Sequence, residues 1–164
     1  MNWIKNLSFI LLSLTLTYCN STDSNLEITN APEESTSGYD SLLANKLGAD
    51  DYGMSQYVMA FLLAGDSVNI DSARRVDLSR GHMANIRRMA KNGDLVLAGP
   101  FLDGGELRGI YIFDVQTIEE AQALTNTDPA VQAGVFKFEM HPWYGTAALK
   151  QVTEVGQRIR KLKP

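Results

Sequence analysis

The residues able to change protonation state near neutral pH are scarce in this chain. Histidine occurs twice, at His82 and His141, and cysteine once, at Cys19. Histidine is the usual general acid or base, so these positions come first. His82 follows Leu78 by four residues and precedes Ile86 by four, with Met89 three further on. Those spacings place all four on one face of a helix. An imidazole on an apolar face needs a partner for its N–H. It is then a satisfied core histidine or a base over a polar pocket, and spacing alone leaves both open. His141, beside Pro142 at a strand end, reads as structural or surface. Other chemistries lack their residues. There is no Walker or dinucleotide-type glycine loop and no Gly-x-Ser-x-Gly elbow. One cysteine excludes an internal disulfide and a cysteine-built zinc site, and two histidines exclude a histidine-rich metal cluster. What remains is proton transfer with no metal and no cofactor, which needs a base and a polar pocket.

The elements that would position His82 follow from periodicity. The chain has 164 residues, 45% apolar and 21% charged, enough for one domain with a buried core. Tyr57 to Leu63 is apolar on both faces and predicts a central strand. Asp71 or Ser72 caps a helix from Ala73 to Asn92, and Gly93 stops it. Leu95 to Ala98 is a second strand, ending in Gly99-Pro100-Phe101. A turn at Asp103-Gly104-Gly105 leads into a third strand, Leu107 to Val115, which forms a hairpin with the second. Thr117 and Glu120 form a capping box that starts a second helix, with Ile118, Ala121 and Leu124 inward. It stops before Asp128-Pro129, and Ala130 to Gly134 connects onward. Phe136, Phe138 and Met140 alternate with Lys137, Glu139 and His141, a half-buried fourth strand that Pro142 ends. The order is that of a ferredoxin-like βαββαβ unit, an α+β fold with an antiparallel sheet and both helices on one face. Its other face is left open, which predicts a partner, most simply a second copy. A stripe of Leu149, Val152, Val155, Ile159 and Leu162 predicts a further C-terminal amphipathic helix over residues 146–164. It packs on the domain or across a dimer; with Arg158, Arg160, Lys161 and Lys163 near its end, contact with anionic lipid is the alternative.

Residues before the domain read as an address. Lys5 precedes twelve uncharged, mostly apolar residues from Leu7 to Tyr18. The run is short for a membrane span and fits a secretory signal over residues 1–19. Leu16-Thr17-Tyr18-Cys19 is similar to a bacterial lipobox, in which the cysteine is lipidated; Tyr18 is larger than the small residue expected there. The reading is an exported lipoprotein of the cell envelope, with a lipid anchor on Cys19. Residues 20–55 are polar and acidic and predict a flexible tether, with a short helical turn near Ser41 to Leu47. The tether carries a net charge of −6, whereas residues from Ser55 onward hold 13 basic and 12 acidic side chains. The overall −4 therefore belongs to the tether. A nearly neutral domain does not read as a nucleic-acid binder.

Three segments together carry a family resemblance: Arg80-Gly81-His82-Met83-Ala84-Asn85-Ile86, then Gly93 to Phe101, then Thr127-Asp128-Pro129 through Gly134, with His141 to Gly145 adding to the pattern. They resemble the YCII-related domain family over residues 56–145. The resemblance implies a dimeric α+β barrel, two ferredoxin-like units with sheets face to face. It also implies a His–Asp pair, matched here by His82 and Asp128. Some members resemble small lyases, including dehydrochlorinases of chlorinated hydroquinones, and related barrels include isomerases and cofactor-free monooxygenases. The expected function is then a cofactor-independent lyase or isomerase acting on a small cyclic molecule. The aspartate would fix the histidine's tautomer and leave the other nitrogen as the base. A non-catalytic ligand-binding or interaction module of the same fold is the alternative. A phosphohistidine at His82 is a third reading, disfavoured by export. Glycine at Gly99 allows close ligand approach, so Gly99, Pro100 and Phe101 are candidate pocket walls. Trp143 reads as a packing anchor for the last helix, and Arg80 as a solvated charge.

Overall fold

The computed structural model describes residues 38–67 and 69–162. Cys19, the expected signal and the first part of the expected tether lie outside them. Four strands form one antiparallel sheet in the order β2-β3-β1-β4. The strands are β1 (Met54–Ala64), β2 (Leu95–Pro100), β3 (Leu107–Phe113) and β4 (Phe136–Thr146). The helices are α1 (Ser41–Leu47), α2 (Ser72–Asn92), α3 (Ile118–Thr125), the single turn α4 (Pro129–Gln132), and α5 (Val152–Ile159) after a 3-10 stretch, Ala147–Gln151. The βαββαβ order is present, with α4 added between α3 and β4.

Local chemistry explains the boundaries. The Asp71 side chain accepts from Arg74 N–H and caps α2, and Gly93 ends it at φ 88°. Thr117 and Glu120 form the reciprocal capping box at the start of α3. Alternation then divides the sheet's side chains. Val58, Ala60, Leu95, Tyr111 and Phe113 point to the helix side and bury against Met89 of α2 and Ala121 of α3. Tyr57, Val96 and Ile112 point the other way, packed with Met59, Leu97, Trp143 and Leu149.

That second face is where the open side was expected, and part of it is covered by the chain itself. The 3-10 stretch packs on β1 and β2, and α5 on β2. Lys150 pairs with Asp114 at 3.0 Å, and the Tyr57 hydroxyl donates to the Thr146 carbonyl at 3.1 Å. Trp143 lies with a ring-centroid separation of 5.8 Å from Tyr57 of β1, on this second face.

Several boundaries differ from expectation, among them the C-terminal helix expected over residues 146–164, which is a 3-10 stretch followed by α5 ending at Ile159. Pro142 does not end β4, which runs four residues further. β4 is an edge strand, so a proline's missing N–H can face away from the ladder. Pro100 stays inside β2, the other edge, for the same reason. The tether also stops earlier than residue 55. Its last part forms α1, capped by Asp40 and closed by Gly48 at φ 61°, and joins β1 from Met54. α1 packs on the 3-10 stretch, Ala147 N–H donates to the Gly53 carbonyl at 2.9 Å, and the Tyr144 hydroxyl donates to the Asp50 carboxylate. Polar composition hid these contacts, because they are made by backbone and caps rather than by an apolar stripe.

Candidate active site

His82 lies midway along α2, facing the sheet, with its side chain 12% exposed. Asp128 was expected to end the second helix. It instead begins α4: α3 stops at Thr125, and the Asp128 side chain accepts from Ala130 N–H at 2.9 Å as the N-cap. Pro129 then occupies the first helical position, where its missing N–H costs nothing. An Asp-Pro pair is both a stop and a start, and the start uses the carboxylate.

Capping one helix leaves a second carboxylate oxygen free, and it is aimed at α2. His82 Nδ1 donates to Asp128 Oδ2 at 2.7 Å. Asp128 is only 1% exposed. Burial alone would raise its pKa. The hydrogen bond and charge of His82, the Ala130 N–H and the Asn85 side chain outweigh burial and hold the carboxyl below its usual range. An ionised carboxylate only accepts, so Nδ1 carries a proton, and in the neutral imidazole Nε2 is the nitrogen with the lone pair. Nε2 lies 3.4 Å from the Tyr111 hydroxyl, a long contact. Burial pushes the Tyr111 phenol well up, reinforced by the charge of Asp128, so it stays protonated.

Two features hold the pair together. Arg88 Nη2 donates to Asn85 Oδ1 at 2.8 Å and to Thr127 Oγ1 at 2.9 Å, tying α2 to the residue before Asp128. Gly81 lets α4 approach α2: a Cβ there would sit 2.9 Å from Pro129 Cγ. Asn85, Tyr111, Arg88 and Thr127 were not singled out from sequence as site residues. The signal for Asn85 was its position three residues after His82, which puts it on the same face. Tyr111 carried no such signal, standing within the apolar run Ile110 to Phe113.

His82 lines a cleft of about 540 Å³. Phe136 of β4 stands with its ring 5.0 Å from the imidazole, centroid to centroid. Ser67, Ser79, Arg75 and Arg108 supply the polar lining. Gly99, Pro100 and Phe101 are not among the lining residues. They lie at the far end of edge strand β2, where Gly99 pairs with Ile110 and Pro100 with Gly109. The room glycine leaves for a ligand made them pocket candidates; the extension of β2 through Pro100 places Gly99 and Pro100 in the ladder. His141 is exposed, 2.9 Å from Glu139, as expected of a surface residue, and Arg80 pairs with Asp77 on the solvent side of α2. Among the described residues, no cluster of three or more His, Cys, Asp or Glu side chains is placed to hold a metal ion.

A buried carboxylate orienting a histidine on the wall of a cleft defines a candidate acid–base site on a ferredoxin-like sheet. The YCII-related domain matches residues 57–143, more than half of the chain, and the protein belongs to that family. No curated protein sequence matches it. Among solved structures, 5-chloro-2-hydroxyhydroquinone dehydrochlorinase from Burkholderia phenoliruptrix, in complex with 2,5-dihydroxybenzoquinone, is similar at 17% identity. The match covers 52% of this chain and 92% of that one, with a TM-score of 0.41.

Proposed function

We propose that the protein is a cofactor-independent lyase or isomerase acting on a small cyclic organic molecule, with His82 as general base and Asp128 as its orienting partner. The observation that carries this reading is the 2.7 Å bond from His82 Nδ1 to a carboxylate that is 1% exposed. That bond fixes the tautomer and leaves Nε2 able to accept a proton. In the proposed step Nε2 takes a proton from a C–H next to a carbonyl. The C–H electron pair becomes a new C=C bond. In a lyase a group on the neighbouring carbon leaves with its bonding pair; in an isomerase the imidazolium returns the proton at another carbon. Asp128 balances the imidazolium charge throughout. The Tyr111 hydroxyl, at 3.4 Å, is held too weakly to block a substrate from Nε2.

The test is exchange and elimination against a panel of ring ketones, cyclic carboxylates and chlorinated hydroquinones, followed in D₂O by NMR. The expected result is turnover or exchange of at least one member that falls about a hundredfold or more in His82→Ala, the usual worth of a positioned base. Unchanged rates in that variant overturn the assignment. A second reading has an observation in its favour: both ring nitrogens of His82 already face internal partners. That suits a non-catalytic ligand-binding module, and a wild-type chain that accelerates no panel member supports it.

We also propose export, with Cys19 lipidated and the domain tethered at the cell envelope; mass spectrometry of the mature N-terminus would show an acylated cysteine, and an unmodified Met1 start would refute it. A homodimer would use the part of the second sheet face beyond the C-terminal cover, around Phe61 and Ile110. Sedimentation velocity showing only monomer at high micromolar concentration would refute that.

A further inference from the structure

We propose that the His82 cleft is an anion site, in which Arg75 and Arg108 bind a carboxylate or phenolate oxygen of a single-ring ligand. The inference deepens the preceding reading and takes the location of the site from it. The two arginines reach the same cleft from different elements, Arg75 from α2 and Arg108 from β3. Arg75 precedes His82 by seven residues, two helical turns, and so shares its face.

Neither has a carboxylate partner among the described residues. The hydrogen bond of Arg108 is to a neutral group, Nη1 donating to the Gly104 carbonyl at 3.1 Å. Two other arginines of α2 are engaged, Arg80 with Asp77 at 3.0 Å and Arg88 with Asn85 and Thr127. Four acids on segments that border the cleft make other contacts. Asp66 pairs with Lys137 at 3.4 Å, Asp71 caps α2, Asp77 holds Arg80, and Asp128 is buried behind His82. No Asp or Glu lines the cleft. Its ionisable lining is therefore two guanidinium groups and one imidazole, with the serine side chains of Ser67 and Ser79 beside them.

The remaining walls set the ligand's size and shape. About 540 Å³ with Phe136 flanking the imidazole suits one ring and its substituents. A guanidinium matches a carboxylate in two parallel hydrogen bonds, which also fixes the ring's orientation over Nε2. Negative charge that builds on a ring oxygen during proton removal would meet the same cations.

The test is equilibrium binding to the full chain, with two matched pairs as probes: benzoate against benzamide, and cyclohexanecarboxylate against its amide. Each acid is expected to bind more tightly than its amide. Arg75→Gln and Arg108→Gln are each expected to weaken the acids about fivefold while leaving the amides within about twofold, as for partly exposed charge pairs. Both side chains are exposed, so the variants keep the fold, checked by circular dichroism. Raising sodium chloride from about 0.05 to about 0.5 M should weaken the acids and not the amides. Acids that bind no better than amides, or arginine variants that leave acid affinity unchanged, overturn the proposal. His82→Ala separates it from the acid–base reading: that variant is expected to keep benzoate affinity while losing turnover, and unchanged turnover counts against the base alone.

Discussion

Replacing Asp128 by asparagine tests the site more sharply than removing it. The carboxylate makes two bonds, one to Ala130 N–H at 2.9 Å and one to His82 Nδ1 at 2.7 Å. Asparagine has one acceptor oxygen. If that oxygen keeps the cap of α4, its NH₂ faces Nδ1, which must then accept. The imidazole proton moves to Nε2, and the base is lost without a change of shape. The stability cost is that of one hydrogen bond to a charged group, about 1.5–3 kcal/mol. Alanine loses the cap as well, adding about 1 kcal/mol. For a chain of this size that places Asp128→Asn about 3–12 °C below the parent in Tm, with Asp128→Ala lower still. The pH dependence has a defined sign. Asp128 titrates below its unfolded value of 3.8, so its contribution is complete above that value and is lost as pH falls through the lower folded pKa. Urea unfolding at pH 7 and again near pH 3 is the assay. The expected stability gap between parent and Asp128→Asn is full at pH 7 and narrower near pH 3, while turnover on any substrate falls about 10²–10⁴-fold. A gap below about 0.5 kcal/mol at pH 7, or one that widens in acid, would show that the buried pair does not act as a charged hydrogen bond.

Two further predictions bear on the same geometry. In its neutral form the His82 ring should show Nδ1 protonated and Nε2 bare in the ¹⁵N spectrum, because Asp128 can only accept; the opposite neutral tautomer in the parent would refute the arrangement. Gly81→Val would drive a side chain into Pro129, whose Cγ already lies 2.9 Å from where a Cβ would sit, and should lower stability by about 1–3 kcal/mol while weakening the His82–Asp128 bond. A thermal melt that leaves Gly81→Val within 1 °C of the parent would mean that α2 and α4 part without cost.

The element order was legible because it rests on strong local signals: the capping box at Thr117, the Asp71 cap, the Gly93 stop and the alternation of Phe136, Phe138 and Met140. His82 was legible for the same reason, as an imidazole set between Leu78 and Ile86 at helical spacing. The rest depended on which strands became edges. Pro142 and Pro100 end strands only if their missing N–H would face a neighbour, and sequence order does not say which strands are outermost. The same geometry carried Gly99 and Pro100 into the ladder, and neither lines the His82 cleft. The true lining came from residues distant in sequence: Arg75 on the helix, Arg108 on a strand, Phe136 at the start of another. None of them is unusual where it stands in the chain. A charge on a helix reads as solvated until its neighbours are known, and for Arg80 that reading holds, since Asp77 lies one turn away. Arg75 differs from Arg80 only in having no acid to meet and a cleft to face. A site assembled from such ordinary residues is identified by what the fold brings together, here two guanidinium groups and an imidazole on one cleft.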